Sequence, residues 1–305
     1  MSSPADLLTN LQRAIVGQEA PLRLIIASLL AGGHILLDDV PGVGKTLLAK
    51  ALARSIAGDF KRVQFSADLM PSDITGSNIF NPQGGVFRFA PGPVFAHVLL
   101  ADEINRASPR TQASLLEAME EARVSVDGES HALPQPFLVI ATQNPIEFQG
   151  TFPLPEAQLD RFAVMLSLGY PSPEDERSLL SGRWARSDAS LVDPVVTPAD
   201  LLTWREQILD VRVDASLQDY MVRVANETRR HPQLLLGISP RGTLTWQRLA
   251  QAHAFLAERT YVTPDDLRAV ARAVLAHRLI PAGRAHPEAR RALLDDLLAA
   301  IPVPV

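Results

Sequence analysis

The feature that most constrains this chain is the stretch at residues 36–48, which reads LLDDVPGVGKTLL. An apolar run, a Gly-rich turn and a Gly-Lys-Thr triplet follow one another there. This order is close to the signature G-x-x-x-x-G-K-[ST], whose backbone N–H groups surround a phosphate. Asp39 stands where that signature has its first Gly. A bare Gly-Lys-Thr or Gly-Lys-Ser arises by chance in about one chain in seven of this length, so the surrounding chain has to decide.

The elements predicted around this triplet supply the context that a phosphate loop needs. Residues 34–37 form a short buried strand, residues 39–44 a loop and residues 46–56 a helix. This order places the N-terminus of a helix, with its unpaired N–H groups, at the end of a strand. The context therefore favours a nucleotide site over a chance match.

Further apolar runs predict the rest of a parallel sheet. Residues 62–65, 98–101 and 137–142 are too short for helices and are bounded by polar turns, as central parallel strands are. They alternate with helical patterns such as residues 108–122, and this alternation predicts an α/β sandwich. From about residue 171 only amphipathic helices follow, which predicts an all-helical C-terminal domain.

Composition excludes several classes of site. The chain contains no Cys, which rules out disulfides, thiolate zinc sites and cysteine nucleophiles. A formal net charge of -5 argues against a broad nucleic-acid footprint. No stretch is long and apolar enough to span a bilayer, and the N-terminus lacks the pattern of an export signal. We therefore expect a cytoplasmic protein without membrane insertion.

Two more strand ends carry polar side chains suited to phosphate chemistry. The strand at residues 98–101 ends in Asp102 and Glu103, and the strand at residues 137–142 is followed by Asn144. Parallel strands present their carboxyl ends to one crevice, so these side chains are expected to face one ligand. Asp102 can hold magnesium and Glu103 can activate water. The plainer alternatives are a solvated acidic turn and an Asn-Pro turn.

Five segments, taken together and in order, resemble the MoxR family of AAA+ ATPases: LLDDVPGVGKT, LLADEINRA, IATQNP, PLPEAQLDRF and GISPRG. The resemblance extends from about residue 15 to the C-terminal helices. It implies an AAA+ P-loop NTPase core of α/β class at residues 1–170, with a parallel five-stranded sheet. Inserts are expected near residues 78–92 and 123–137, and a linker and helical lid at residues 171–305.

The resemblance also implies the roles of individual residues. ATP and Mg²⁺ are the implied cofactors, with Thr46 and Asp102 at the metal. Glu103, Asn144, Arg161 and Arg241 are the implied catalytic residues, as Walker B glutamate, sensor 1, arginine finger and sensor 2. The implied nucleotide-binding residues are Val16, Gly17, Gln18, Pro41, Gly42, Val43, Gly44, Lys45, Thr46 and Leu47.

The two arginines suit such roles chemically, because a guanidinium is always charged and offers a planar fork of donors to a phosphate. Without the resemblance, the plainer interpretations are favoured, in which Arg161 is a solvated neighbour of Asp160 and Arg241 is a surface residue near a helix start. Arg106 is expected either to contact a neighbouring subunit or to form a local salt bridge. Gln64 is expected to restrain Glu103 when substrate is absent.

MoxR-type proteins work as rings, usually hexamers, so the resemblance implies a homo-oligomer. It also implies a von Willebrand A domain partner and a chaperone-like remodelling of protein clients. A magnesium-chelatase-type motor subunit, a DNA-remodelling ring and a non-catalytic scaffold are the alternatives. The single Arg in the insert FNPQGGVFRF argues against a DNA-binding ring. The complete set of Lys45, Asp102, Glu103 and Asn144 argues against a scaffold.

Overall fold

The computed structural model describes residues 3–144, 150–180, 192–283 and 287–304. Its strands are β1 (His34–Asp38), β2 (Phe60–Gln64), β3 (Gly76–Asn81), β4 (Val86–Pro91), β5 (Val98–Asp102), β6 (Arg123–Val126), β7 (Glu129–Ala132), β8 (Leu138–Gln143), β9 (Phe162–Leu166), β10 (Leu234–Leu236) and β11 (Ile280–Pro281). Its helices are α1 (Pro4–Gln12), α2 (Glu19–Leu30), α3 (Lys45–Ser55), α4 (Pro71–Thr75), α5 (Pro109–Glu121), α6 (Glu156–Leu159), α7 (Pro173–Leu180), α8 (Pro198–Leu209), α9 (Ala215–Arg230), α10 (Pro240–Leu256), α11 (Pro264–Leu275) and α12 (Pro287–Ala300).

A five-stranded sheet forms the centre of the core, in the order β2-β5-β8-β1-β9. Each neighbouring pair in it is parallel. Strands β1, β5 and β8 lie inside the sheet and are buried along almost their whole length. Their near-continuous apolar sequences follow from this position, because helices cover both faces of a parallel sheet. The predicted fold class is confirmed.

Successive strand residues point to opposite faces, and each face packs its own core. Ile35 and Leu37 of β1 join the core that also contains α1, α2, α3 and the C-terminal helices. Leu36, between them, joins the second core, beneath α4 and α5. This division fixes the register of β1 strongly, since a slip of one residue would exchange the two faces.

The edge strand β9 comes from a segment in which the sequence pattern alone indicated no strand. Its five residues read FAVML, too few for a clear periodicity. The C-terminal helices cover this edge. Arg278, which follows α11, is buried and donates hydrogen bonds to the carbonyls of Phe162 and Ala163 and to the carboxylate of Asp160. Covering an edge strand in this way leaves fewer of its backbone groups open to pairing with another chain.

The C-terminal domain, from α8 to α12, is a helical lid that packs on the core through α10 against α2 and α11 against β9. Arg205 of α8 donates two hydrogen bonds to the carbonyl of Leu29, at the C-terminal end of α2. One detail differs from the expected all-helical domain: β10 and β11 form a short antiparallel pair. Strands of two and three residues are too short to show an alternating pattern in the sequence.

Two antiparallel hairpins extend the core beside α4 and α5. Strand β3 pairs with β4, and β6 pairs with β7 through a turn at Asp127 and Gly128, which both have positive φ. The hairpins touch each other, since the Phe89 ring stacks on His131 at a centroid distance of 3.9 Å. None of the described helices has both the length and the apolar character that a membrane span requires.

His34, at the start of β1, is a buried imidazole that ties three elements together. Its Nδ1 accepts a hydrogen bond from the Val139 N–H at 3.0 Å, so Nε2 carries the proton and donates to the Met119 carbonyl. Burial lowers its pKa from 6.5 to about 4. The unfolded chain therefore binds a proton more readily than the folded protein does between these pH values.

We expect the free energy of unfolding to lose about 3 kcal/mol from this group alone as the pH falls from 6.5 to 4. Above pH 6.5 the contribution of neutral His34 is complete. NMR titration of the imidazole, assigned with the His34→Gln variant, measures this pKa directly. An imidazole that titrates near pH 6.5 in the folded protein would contradict the assignment.

Candidate functional site

The loop between β1 and α3 has the geometry of a phosphate site. Gly42 and Gly44 adopt φ of +89° and +92°, which a side chain would disfavour, and Gly44 is the N-cap of α3. A Cβ added at either glycine would meet no other atom of the described chain within 4 Å. The first N–H groups of α3 thus lie at an open surface and carry the positive end of the helix dipole.

The remaining loop residues divide between this surface and the core. Pro41 is exposed, whereas Val43 and Leu47 pack partly against the hydrophobic core and anchor the loop from below. Lys45 Nζ donates to the backbone carbonyl of Asp39 at 2.9 Å. Thr46 is half-buried in the first turn of α3. The loop can therefore offer an ammonium, a hydroxyl and several N–H groups to a phosphate.

Asp39, the residue that departs from the general loop signature, has a structural role. Its carboxylate is buried and accepts hydrogen bonds from the Ser167 hydroxyl at 2.5 Å, the Leu168 N–H at 2.7 Å and the Gly169 N–H at 3.1 Å. These three residues follow β9 and lead towards α7. The side chain thus fastens the phosphate loop to the connection between core and lid.

Asp102 and Glu103 lie at the carboxyl end of β5, and Thr142 of β8 organises both. The Thr142 hydroxyl donates to Asp102 Oδ1 at 2.7 Å and accepts the Glu103 N–H at 2.9 Å. Glu103 has φ of +56°, an uncommon conformation for a residue with a side chain. Sequence reasoning missed Thr142. Its signal was a hydroxyl residue at the end of an apolar strand, two positions before Asn144.

Three further side chains contact these carboxylates through ion pairs or hydrogen bonds. Arg62 pairs with Asp102 at 2.6 Å and also donates to Gln64. Gln64 Nε2 donates to Glu103 Oε2 at 2.7 Å, which is the contact expected of a residue that restrains Glu103. Arg106 pairs with the same oxygen at 3.2 Å, so it forms a local salt bridge. The role of Arg62 was not predicted, because an Arg in an edge strand has no distinctive pattern.

The remaining residues of this side lie at the ends of neighbouring elements. Asn144 is buried and directly follows β8, beside β1 and β5 in the sheet, while its neighbour Pro145 lies outside the described residues. Val16 is half-buried, and Gln18 is the N-cap of α2. Gly17 lies so close to α7 that an added Cβ would fall 2.1 Å from the Asp175 carboxylate. The segment at residues 16–18 therefore borders the start of the lid connection.

Arg161 and Arg241 form a separate group around Glu120. Arg161 Nη2 lies 3.3 Å from Glu120 Oε2, and Arg241 Nη2 bonds to Glu120 Oε1. The hydrogen bond from Arg241 lowers the pKa of Glu120. Within the described chain, neither arginine bonds to Lys45 or to the acidic end of β5. The structure brings the two predicted arginines together at Glu120, and Arg161 directly precedes the amino end of β9, whereas the phosphate loop follows the carboxyl end of β1.

The donors at the phosphate loop suit a magnesium ion only together with a nucleotide. The described residues contain no group of three or more His, Asp or Glu side chains that could hold a metal ion alone. Thr46 and Asp102 supply one hydroxyl and one carboxylate. Mg²⁺ commonly combines one or two protein ligands with substrate phosphates. The donor set thus fits a metal that binds with the phosphates, provided that Arg62 releases Asp102.

We expect Asp39→Gly to lower the free energy of unfolding by about 1 to 3 kcal/mol, because three donors at residues 167–169 lose their buried acceptor. ATP binding should persist, since Lys45 bonds to the carbonyl of residue 39 and the phosphate-facing N–H groups follow it. Urea unfolding and titration with a fluorescent ATP analogue measure the two effects. Asp39→Asn should also lose stability, because its NH₂ group would face a backbone N–H donor of Leu168 or Gly169 in either orientation. A folded variant without ATP affinity would disprove the structural role.

Known proteins share this architecture. Residues 34–164 match the ATPase family associated with various cellular activities (AAA), and residues 226–298 match the AAA lid domain. The chain is 46% identical to the uncharacterized protein YeaC of Bacillus subtilis, over 97% of this chain and 93% of that protein. It is 42% identical to the chaperone MoxR1 of Mycobacterium tuberculosis, over 89% of this chain and 74% of the relative.

A solved structure agrees with these sequence relatives. The crystal structure of a protein from Cytophaga hutchinsonii, assigned as an ATPase, superimposes with a TM-score of 0.89 at 35% identity. The match covers 98% of this chain and 94% of that one. The relatives therefore share the core and the lid with this chain, and they confirm the predicted ATPase. The chain belongs to the MoxR family of AAA+ ATPases.

Proposed function

We propose that this ATPase is a ring-forming motor in which each ATP is bound by one subunit and attacked with the help of arginines from the next. One observation carries the proposal. The phosphate loop and the acidic end of β5 lie at one edge of the sheet, whereas Arg161 and Arg241 meet at Glu120 and bond to neither. Arg161 directly precedes β9 at the amino end of the sheet, opposite the carboxyl end at which the loop lies, so in this proposal the arginines for a bound γ-phosphate come from another copy of the chain.

Within one subunit, binding begins at the start of α3. The N–H groups of residues 42–46 donate hydrogen bonds to the phosphate oxygens, and Lys45 moves from the Asp39 carbonyl to a phosphate oxygen. The segment at residues 16–18 lies beside the adenine. Thr46 and Asp102 would hold Mg²⁺ together with the phosphates, and the ion would neutralise charge on the phosphate oxygens. ATP in this position leaves its γ-phosphate near the ends of β5 and β8.

Hydrolysis then depends on Glu103 and Asn144. Glu103 orients the attacking water and accepts its proton, and Asn144 hydrogen-bonds that water or the γ-phosphate. Gln64 and Arg106 hold Glu103 in the structure described above, so Glu103 must leave them before it can act. The ion pair between Arg62 and Asp102 must likewise break before Asp102 can bind the metal. Binding of the nucleotide competes with these contacts.

The neighbouring subunit supplies Arg161 as the finger and Arg241 beside it. Their shared bond to Glu120 supports a common direction of approach, so Arg241 acts in trans with Arg161. Arginines delivered by a neighbour raise related phosphoryl transfers by about 10³ to 10⁵ in rate. The assembly is a homo-oligomeric ring, and a hexamer is the size expected for the family. The predicted cytoplasmic location stays a prediction.

We further propose a chaperone-like role on protein clients, together with a von Willebrand A domain partner. The hairpin of β3 and β4 supports a protein surface as its target. Ile79, Phe80, Val86 and Phe87 are each more than half exposed on it, and Phe87 is 70% exposed. Such apolar exposure is typical of protein contacts. The relative MoxR1 is itself named a chaperone.

The same hairpin disfavours a DNA-remodelling ring. Arg88 is the single basic residue of β3 and β4, and nucleic-acid surfaces need several cations to neutralise phosphates. Filter binding across a salt titration separates the two functions. A DNA-remodelling ring gives steep salt dependence, whereas the proposed protein remodeller gives no salt-sensitive DNA complex.

We expect Lys45→Ala to abolish ATP binding and turnover, because the loop loses its only ammonium. Glu103→Gln should bind ATP and abolish turnover, because the amide cannot accept the proton of the attacking water. A coupled phosphate-release assay and a fluorescent ATP analogue measure turnover and binding. A purified, assembled wild-type ring without ATP turnover would contradict the proposal.

Arg161→Ala is expected to lower the turnover of an assembled ring by about 10³-fold, because each γ-phosphate loses the charge delivered by its neighbour. ATP affinity at the variant's own loop should change little. Size-exclusion chromatography establishes assembly before the rate is measured. Full ATPase activity in a ring of this variant would remove Arg161 from the reaction.

A further inference from the structure

Glu120 is the one carboxylate in the described chain that forms an ion pair with both arginines of the proposed trans site. It lies in the last turn of α5 and uses one oxygen for each partner: Oε2 for Arg161 and Oε1 for Arg241. The glutamate side chain is 38% exposed. The three residues come from α5, from the end of α6 and from the start of α10. The cluster therefore joins the core, the segment before β9 and the lid.

The neighbouring contacts make this cluster a defined structure. Asp160, directly before Arg161, accepts hydrogen bonds from Arg278 at 2.7 Å and from Ser239 at 3.2 Å. Ser239 is the N-cap of α10, two residues before Arg241. The backbone next to each arginine is thus tied to the same carboxylate. These contacts do not fix the direction of the two arginine side chains. The contact of both with Glu120 does so.

Charge explains why a carboxylate is needed here. Two guanidinium groups drawn to one point repel each other, and a shared anion between them offsets that repulsion. Glu120 leaves the cluster with one net positive charge. Among the described residues, Nε and Nη1 of both arginines have no hydrogen-bond partner, so each retains donors for a phosphate. The carboxylate can therefore hold the arginines from one side while a phosphate approaches from the other.

We propose that Glu120 is a positioning residue that holds Arg161 and Arg241 as one pair, so that both reach the γ-phosphate of the neighbouring subunit together. This inference rests on the proposed trans arrangement. In this proposal Glu120 contacts neither ATP nor the attacking water and acts only through the two arginines. Its loss leaves both arginines present and charged but separated, so it reduces hydrolysis in the next subunit and leaves its own nucleotide site intact.

The same cleft offers a matched control. Glu117, Glu120 and Glu121 line a cavity of about 250 Å³ together with Gln158 and Arg161. Glu117 is exposed and, within the described chain, forms no ion pair with either arginine. Glu117→Gln thus removes the same charge from the same cleft and helix without removing the bridge. A difference between the two variants isolates the shared contact from a general change in charge.

The first measurement compares kcat and KM for ATP in assembled rings of wild type, Glu120→Gln and Glu117→Gln. We expect Glu120→Gln to lower kcat about ten- to hundredfold, because misplaced arginines meet the reacting phosphate poorly. Its KM and its affinity for a fluorescent ATP analogue should stay near wild type. Glu117→Gln should retain wild-type kcat. Unchanged or raised kcat in Glu120→Gln would overturn the inference.

The second measurement uses mixed rings to find which nucleotide site is damaged. Glu103→Gln subunits cannot hydrolyse their own ATP but donate intact arginines, and Glu120→Gln subunits have an intact site but donate displaced arginines. Each ring should be slow on its own. In a mixed ring, turnover should return at the nucleotide site of any Glu120→Gln subunit whose arginines come from a Glu103→Gln neighbour. No gain on mixing would show that Glu120 acts within its own subunit or on folding, and would overturn the inference.

If Glu120→Gln fails to assemble, Glu120→Asp replaces it, since the shorter carboxylate keeps its charge but cannot span both guanidinium groups. The same loss and the same rescue are expected. The outcomes also separate the two proposals. An inactive wild-type ring refutes the proposed motor, whereas an active wild type with an inactive Arg161→Ala and a normal Glu120→Gln refutes only the role of Glu120.

Discussion

The parallel alignment of β1, β5 and β8 is the constraint on which the rest of this protein depends. Because their carboxyl ends share one edge of the sheet, the loop after β1, the carboxylates after β5 and Asn144 after β8 meet without any long connection. The two cores hold this alignment from both faces. Thr142 of β8 then links the two strands, because its hydroxyl bonds to Asp102 at the end of β5 and to the backbone of Glu103. The chemistry at this edge is thus a consequence of sheet register.

A second set of contacts fixes the arginines, and the lid provides much of it. Arg278 and Ser239 of the lid hold Asp160, and Arg241 joins Glu120 beside Arg161. At the other end of the lid connection, Gly17 packs on Asp175, and Asp39 holds the segment after β9. In the proposed ring, a change of lid position caused by a nucleotide at one subunit's loop would therefore move Arg161 and Arg241 of the same subunit.

The sequence was most informative where a side chain pattern and a backbone pattern coincide. The apolar runs of the interior strands and the glycines of the phosphate loop led to the α/β core, because burial on both faces and positive φ restrict residue choice strongly. Edge strand β9 and the pair of β10 and β11 were not predicted from the sequence pattern, since each of these strands has only two to five residues. Asp39 looked like an exception in a loop, and its partners at residues 167–169 lie more than a hundred positions away.

Residues that act through a tertiary contact had weak sequence signals or none. Arg62, Thr142 and Glu120 are ordinary residues in their strands and helix, and only the folded chain brings them to Asp102 or to the arginines. The resemblance to MoxR proteins named Arg161 and Arg241, but it did not reveal that they share one partner. Pairings of this kind depend on how the lid packs on the core, which no local pattern encodes.

The central claim is that one ATP site is built from two subunits, and a cryo-EM structure of the Glu103→Gln ring with ATP and Mg²⁺ tests it most directly. The quantity to measure is the distance from each guanidinium to the nearest γ-phosphate oxygen. The account predicts that Arg161 of one subunit lies within hydrogen-bonding distance of the ATP held by Lys45 of the next. A γ-phosphate contacted only by side chains of its own subunit would contradict it.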